Sequence, residues 1–486
     1  MRKRLHLYAM KQVFGSVSKH SGVLFLFACF ALLLVPKIFQ EGLFMDGCIY
    51  GSVARNLSQG SGSFWQLSFS QTLLHPFHEH PPLAFALQSL VFKVFGDQFF
   101  IERFYQLLIA FASAVLIIGI FKQYSKHAQL SWLAALLWLT TERVFWCANE
   151  NMLESTMSVF DLLAVYFLGK CLLGNLNRTF INLSIAALAI FCAFLSKGLP
   201  ALFPLSFFFF AFVSKQISFL QMLKKSIYLL TAISLIFTLA FVFWEDAFES
   251  IKLYLQQQVM GSVQGKDRVG LRLPFISGFF QQIIPYLILA AIALLSQARK
   301  KSNTSAPITS LLFVLIGLSA FLPLLVSPKL SFYYLVPCFP YFSIATVLYV
   351  EPIFCNSITP SIQKFLRSSA IGISVLMIVV VCFLSLALYG TASRDAEMIT
   401  EVKALKNYCP PLSVISVSQN LQEDWTLFAY LQRIAKLSVQ KGDAQCLYLL
   451  AEQDEQIPAD YSLLHREVGK RFALYSKTNL HKKRAN

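Results

Sequence analysis

The chain has 486 residues, 56% of them apolar and 47 of them Phe, with a mean hydropathy of +0.59, which excludes an ordinary soluble domain. Its formal charge of +16 would suit a nucleic-acid partner, but the basic residues are scattered through short loops between apolar runs. Membrane topology and anionic headgroups explain that distribution, so nucleic acid is excluded as a partner.

A hydrocarbon core about 30 Å thick requires about 20 apolar residues per helix. The recurring runs predict an all-α polytopic membrane protein with roughly eleven transmembrane helices. The first, Ser21–Phe39, follows the basic residues Arg2, Lys3, Arg4, Lys11 and Lys19 and lacks the small-residue cleavage site of a signal peptide, so it reads as a retained helix. Later spans are expected near 101–121, 128–146, 155–173, 179–196, 199–213, 226–244, 274–296, 307–326, 332–350 and 369–390.

Between the first two spans lies a long polar loop, 40–100, that holds Asp46, Tyr50, Arg55, Asn56, His75, His78, Glu79 and His80. A carboxylate beside a bilayer costs energy unless solvated or paired, so Asp46 reads either as a functional group or as a solvated loop acid. Glu150 and Glu154 are four apart and would share one face of an early-starting fourth span, where Glu154 could help position Asp46 or be a helix N-terminal acid favoured by the macrodipole. Asp161 falls inside that span and needs a partner or a water-filled cavity.

Alternate loops differ in charge, and Lys and Arg accumulate on the cytoplasmic side. The N-terminus, Lys122, Lys126, Lys170, Arg178, Lys215, Lys224, Lys225, Arg299, Lys300, Lys301, Lys364 and Arg367 form the basic set. Glu41, Asp46, Glu79, Asp97, Glu102, Glu142, Glu150, Glu154, Glu245, Asp246 and Glu249 fall in the other set, which is expected to face outward.

After the last span, residues 391–486 contain no membrane-length run and are expected to form a soluble extracytoplasmic α/β domain, the transmembrane domain being 1–390. Arg394–Tyr408 and Asp424–Ile434 read as helices; Pro411–Val417, Cys446–Leu450 and Arg471–Tyr475 read as strands. The tail His481-Lys482-Lys483-Arg484 reads as solvated or headgroup-facing. Of the ten cysteines, Cys29, Cys171, Cys192 and Cys382 are core residues by context, while Cys409 and Cys446 would lie outside, where a disulfide could persist. No Walker A or GxGxxG pattern appears, so ATP hydrolysis and dinucleotide binding have no support.

Asp46-Gly47-Cys48-Ile49-Tyr50, Ala54-Arg55-Asn56-Leu57, Glu79-His80-Pro81-Pro82-Leu83, Gly96 and Arg103 together resemble the protein O-mannosyltransferase and aminoarabinose lipid A transferase superfamily. These are integral-membrane glycosyltransferases of the GT-C fold that use polyprenyl-phosphate-linked sugars. The likeness continues at Asn151-Met152-Leu153-Glu154, Leu195-Ser196-Lys197-Gly198-Leu199-Pro200 and Lys329-Leu330-Ser331-Phe332-Tyr333-Tyr334-Leu335-Val336-Pro337, and covers roughly residues 20–350.

The resemblance implies transfer of a hexosyl or pentosyl group from a polyprenyl-phosphate carrier to an envelope acceptor, whether lipid A, protein or glycan, at the outer face of the membrane, and the compact loops favour a bacterial plasma (inner) membrane. Asp46 would be the base, and Gly47 stands where some relatives have a second acid. Tyr50, Arg55, Glu79, His80, Glu154, Lys197, Lys329 and Tyr333 would hold donor and phosphate, with Lys266, Arg268 and Arg272 as weaker candidates. Lys329 could equally be an interfacial lysine that snorkels to headgroups. Glu79 and His80, with His75 and His78 nearby, could hold a divalent metal, as some relatives do near this Glu, although Pro81-Pro82 prevents a helix that would aim two imidazoles at one ion. No other cofactor is implied. The competing readings are a transporter or flippase, which would place ionisable groups in broken helices, and a noncatalytic assembly protein.

Overall fold

The computed structural model describes residues 21–174, 178–260, 271–300, 308–327, 329–357, 360–442, 446–453, 455–465 and 471–477. The basic N-terminus, Lys266, Arg268, Lys301 and the His481–Arg484 tail lie outside these residues.

The helices, in chain order, are α1 Ser21–Ile38, α2 Met45–Ser58, α3 Leu83–Phe95, α4 Ile101–Tyr124, α5 Ser131–Leu139, α6 Glu142–Asn149, α7 Leu153–Leu173, α8 Thr179–Lys197 and α9 Phe207–Val213. They continue with α10 Phe219–Phe243, α11 Glu245–Tyr254, α12 Arg272–Lys300, α13 Ile308–Phe321, α14 Phe339–Ser357, α15 Pro360–Ala387, α16 Ala396–Leu405 and α17 Trp425–Tyr430. Among the described residues nine helices are long and apolar enough to cross a membrane: α1, α4, α7, α8, α10, α12, α13, α14 and α15. The chain is a multi-pass membrane protein.

Two of the expected spans are divided. The 128–146 run breaks at Thr140-Thr141 into α5 and α6, and the 199–213 run carries Pro200 and Pro204, which fold it as a tight 3-10 stretch over Leu199–Ser206 before the short α9. Leu83–Phe95 is a third apolar helix below spanning length. Helices α7 and α8 pack along each other, as do α1 and α15, while α10, α12 and α15 expose large apolar side chains such as Val242, Phe243, Leu295 and Phe383 to the surroundings. In water such faces would be a liability; against lipid they are solvated.

The ends of the first and last spans meet. Gly390 N donates to Phe39 O at 2.9 Å, Glu41 N to Thr391 O at 2.8 Å and Ser393 N to Glu41 O at 2.8 Å. The 40–100 segment and the C-terminal residues therefore leave the helical bundle on one side.

Beyond α15 comes a five-stranded mixed sheet: β1 Val414–Val417, β2 Ser438–Gln440, β3 Tyr448–Glu452, β4 Tyr461–His465 and β5 Phe472–Lys477, in the order β2-β1-β3-β5-β4. β1 runs parallel to β2 and β3, and β5 antiparallel to β3 and β4. The expected helices and three expected strands are present within a few residues, while β2 and β4 were not anticipated. Cys409 and Cys446 are free thiols, so the suggested disulfide is absent.

This C-terminal unit docks on the 40–100 segment through buried polar contacts. Arg433 binds Asp97 at 2.8 Å and also Glu102, which is 1% exposed. Tyr430 Oη donates to Leu43 O at 2.9 Å and Thr72 Oγ1 to Val439 O at 2.6 Å.

Candidate active site

α2 begins just beyond the first span, with Asp46 in its first turn, where the helix dipole favours a carboxylate. Its start is fixed from outside, because Phe44 N donates to the Glu150 carboxylate at 2.6 Å and Asn151 Nδ2 to Gly47 O at 2.9 Å. A Cβ at Gly47 would stand 2.1 Å from Glu150 O. The absence of a second acid at this position is thus a packing requirement, since α2 lies directly on the 150–151 backbone.

Around Asp46 the chain gathers residues far apart in sequence. Tyr333 Oη donates to Asp46 Oδ2 at 3.1 Å. Lys197, the last residue of α8, pairs with Glu154 at 2.7 Å, and these side chains are 5% and 1% exposed. The Lys197 ammonium also lies 5.8 Å from the Tyr333 ring and 5.3 Å from the Tyr334 ring. Each charge sits at a favourable helix end, Glu154 in the first turn of α7 and Lys197 at the C-terminus of α8.

α8 stops at Gly198 because that residue has φ +89°, and a Cβ there would meet Tyr254 Oη at 1.9 Å. Tyr254 Oη in turn donates to Lys197 O at 3.4 Å. The Lys197-Gly198-Leu199-Pro200 sequence therefore ends a helix so as to leave one ammonium at its tip.

Burial raises the Asp46 pKa above the usual aspartate value, against the opposing charge of Lys197, the Tyr333 hydrogen bond and the charge of Lys329. The same two lysines, after burial itself, push the His80 imidazole well below its ordinary value, so it is neutral at physiological pH. Its Nε2 shares a 3.1 Å hydrogen bond with Tyr50 Oη, and its Nδ1 has no hydrogen-bond partner among the described residues. Tyr50 is held as the phenol by burial and by the nearby Asp46 and Glu154. Asp46, Tyr50, His80, Glu154, Lys197, Lys329 and Tyr333 thus form one cluster of interacting charges and hydrogen bonds.

Arg55 and Glu150 are engaged by other partners. Arg55 is 1% exposed, nine residues after Asp46 on α2, and its guanidinium donates to Asn56 Oδ1, Gln432 O and Arg433 O. Two of these bonds join α2 to the C-terminal unit, and burial lowers the Arg55 pKa to about 10. Glu150 and Glu154 do not share a helix face, because α6 ends at Asn149 and Asn151 turns the chain at φ +57° before α7. Glu150 instead anchors the start of α2 and pairs with Arg394 at 3.6 Å.

Glu79 is half-buried in the turn before α3, and Arg272 is exposed at the start of α12. The metal suggestion gains no ligand set: among the described residues no group of three or more His, Cys, Asp or Glu side chains could hold an ion. The chain around Pro76 and Pro81-Pro82 gives the rings different environments, His75 bonding Ser68 at 2.8 Å, His80 bonding Tyr50, and His78 buried.

Sequence reasoning missed an aromatic wall. Trp146 stacks on Tyr333 with centroids 6.2 Å apart and an interplanar angle of 13°, and Phe44 meets both edge-on. Its only sequence signal is aromatic residues near helix ends, which interfacial belts share.

Residues 79–244 match the model of the dolichyl-phosphate-mannose-protein mannosyltransferase family. No curated protein matches the chain in sequence. Among solved structures, ArnT from Cupriavidus metallidurans in the apo state superposes with a TM-score of 0.63 at 14% identity, covering 93% of this chain and 97% of that one. The same protein bound to undecaprenyl phosphate gives 0.62 at 14% identity with equal coverage. The archaeal oligosaccharyltransferase AglB from Archaeoglobus fulgidus, in complex with an inhibitory peptide and a dolichol-phosphate, gives 0.52 at 12% identity, covering 89% of this chain and 69% of that one. The chain is therefore a multi-pass membrane protein with the ArnT-like GT-C fold, and its 79–244 segment carries the sequence signature of the mannosyltransferase family.

Proposed function

We propose that this protein transfers a hexosyl or pentosyl group from a polyprenyl-phosphate carrier to an envelope acceptor at the outer face of a bacterial inner membrane. The observation that carries the reading is the juxtaposition of the Asp46 carboxylate, hydrogen-bonded by Tyr333, with the cations Lys197 and Lys329. The family match and the carriers bound to ArnT and AglB support the donor class.

In this reading an acceptor hydroxyl or amine attacks the anomeric carbon and loses its proton to Asp46. The bond from that carbon to the phosphate oxygen breaks, and the phosphate leaves with the electron pair. Lys197 and Lys329 stabilise the charge that develops on it. Neutral His80 and the Tyr50 phenol contribute hydrogen bonds without adding charge, and Glu154 holds Lys197 in place. Residues 1–390 would be the transferase domain and 391–486 an outer domain. The transport alternative predicts discontinuous helices around buried charge, whereas Asp161, 0% exposed, lies within the unbroken α7.

The proposal is tested by mass spectrometry of envelope glycolipids and glycoproteins from cells with and without the gene. A glycan mass that disappears with the gene identifies sugar and acceptor together; unchanged profiles in both fractions reject transfer. Cysteine-accessibility labelling at position 46 checks the outer placement, and labelling from the cytosol alone would defeat it.

The base acts as the carboxylate, so activity is lost as pH falls through a pKa that lies above the usual aspartate value. Tyr333→Phe removes a hydrogen bond that lowers this pKa. The acidic limb of the pH–rate profile is then expected to move to higher pH. An unmoved limb would show that Tyr333 does not act on the base.

A further inference from the structure

A cleft of about 390 Å³ lies between residues 41–48, the 97–103 segment, α16 and the 430–436 segment. Cys48 lines it, two positions and about 200° around α2 from Asp46. The cleft shares no residue with the Asp46 cluster.

Five cations line this cleft: Arg103, Lys403, Lys406, Arg433 and Lys436. Only three carboxylates answer them, Glu41, Asp97 and Glu102. Glu41 pairs with Lys403, Asp97 with Arg433 at 2.8 Å and Lys436 at 3.0 Å, and Glu102 with Arg433. Arg103 uses its donors on Gln40 O, Gly42 O and Asn149 O. Lys406 has no carboxylate partner among the described residues. Burial and the like charges of Lys403, Lys436 and Arg433, against the pull of Asp97, hold its pKa below the ordinary lysine value.

The cleft also borders the bilayer. Phe99 in its wall meets Tyr389 edge-on at 6.2 Å, and Tyr389 lies 6.2 Å from Phe39. Phe39 and Tyr389 follow the ends of the first and last spans, the level at which aromatic residues mark a membrane interface. An excess of cations at that level, with one ammonium left unpaired, is a receptor for a phosphate.

We infer that this cleft binds a phosphate group at the membrane surface, in the form of an anionic lipid headgroup, with Lys406 as its principal contact and Lys403 and Lys436 flanking it. The bound headgroup sits between α16 and the 97–103 segment and so joins the C-terminal unit to the bilayer.

The test is native mass spectrometry of the full-length protein in detergent, titrated with phosphatidylglycerol, with phosphatidylcholine as the zwitterionic reference and inorganic phosphate as competitor. Lys406→Gln is expected to weaken the tightest phosphatidylglycerol adduct about fivefold, while Lys406→Arg retains it and phosphatidylcholine binding is unaffected. Because Lys406 makes no ion pair, the thermal midpoint of the variant is expected to match the wild type. Absence of competition by inorganic phosphate assigns the anion to the lipid headgroup, and competition assigns it to a soluble phosphate at the same site. Equal phosphatidylglycerol binding by wild type and Lys406→Gln, or an equal loss for phosphatidylcholine, overturns the inference.

Discussion

Asp46→Asn is expected to lower the rate of glycosyl transfer about 10²–10⁴-fold, the range lost when a positioned base is removed. The substitution is nearly isosteric, and the amide oxygen can still accept the hydrogen bond that Tyr333 Oη makes to Oδ2 at 3.1 Å. Folding and donor binding should therefore persist while proton acceptance is lost. The measurement is product formation by mass spectrometry, together with thermal unfolding in detergent. A variant that transfers sugar within a fewfold of the wild-type rate would remove Asp46 as the base, and a variant that no longer binds donor would give it a binding role.

Lys197→Met is the second large effect, expressed first in stability. It leaves Glu154, 1% exposed, without the ammonium that stands 2.7 Å away. Removing one partner of a buried pair costs about 3–5 kcal/mol, mostly from the uncompensated charge that remains. The double variant Lys197→Met/Glu154→Gln buries neither charge and is expected to recover most of that stability. Transfer should stay impaired in both, because one of the two cations proposed to stabilise the leaving phosphate is gone. A double variant as unstable as the single one would show that the pair is not what the site depends on, and recovered activity would remove Lys197 from the phosphate.

The spans were legible because a membrane helix is apolar all round, a signal that needs only length. The runs 128–146 and 199–213 misled for a related reason: hydropathy does not register a break at Thr140-Thr141, and it weighs Pro200 and Pro204 too lightly. Strand β2 escaped notice because three residues carry little alternation, and β4 because its Tyr461-Ser462-Leu463-Leu464-His465 run breaks alternation where the register shifts between Leu463 and His465.

The motif residues divide in a way that sequence could not show. Asp46, Tyr50, His80, Glu154, Lys197, Lys329 and Tyr333 meet, although 287 positions separate Asp46 from Tyr333. Arg55, Asn56 and Arg103 belong to the same motifs but bind backbone carbonyls: Asn56 holds Ser68 O and Phe69 O, and Arg103 gathers Gln40, Gly42 and Asn149. A guanidinium that orders a scaffold and one that grips a phosphate look alike in sequence, because their difference lies in what occupies the donors.

The bond from Arg55 to Gln432 O spans 377 positions, and the exits of α1 and α15 are tied by hydrogen bonds between residues 39–41 and 390–393. The helix that carries the proposed base therefore gains its final supports only after almost the whole polypeptide has been synthesised and inserted. A nascent or truncated copy lacks those supports, so the mature geometry of this centre is a property of the finished chain.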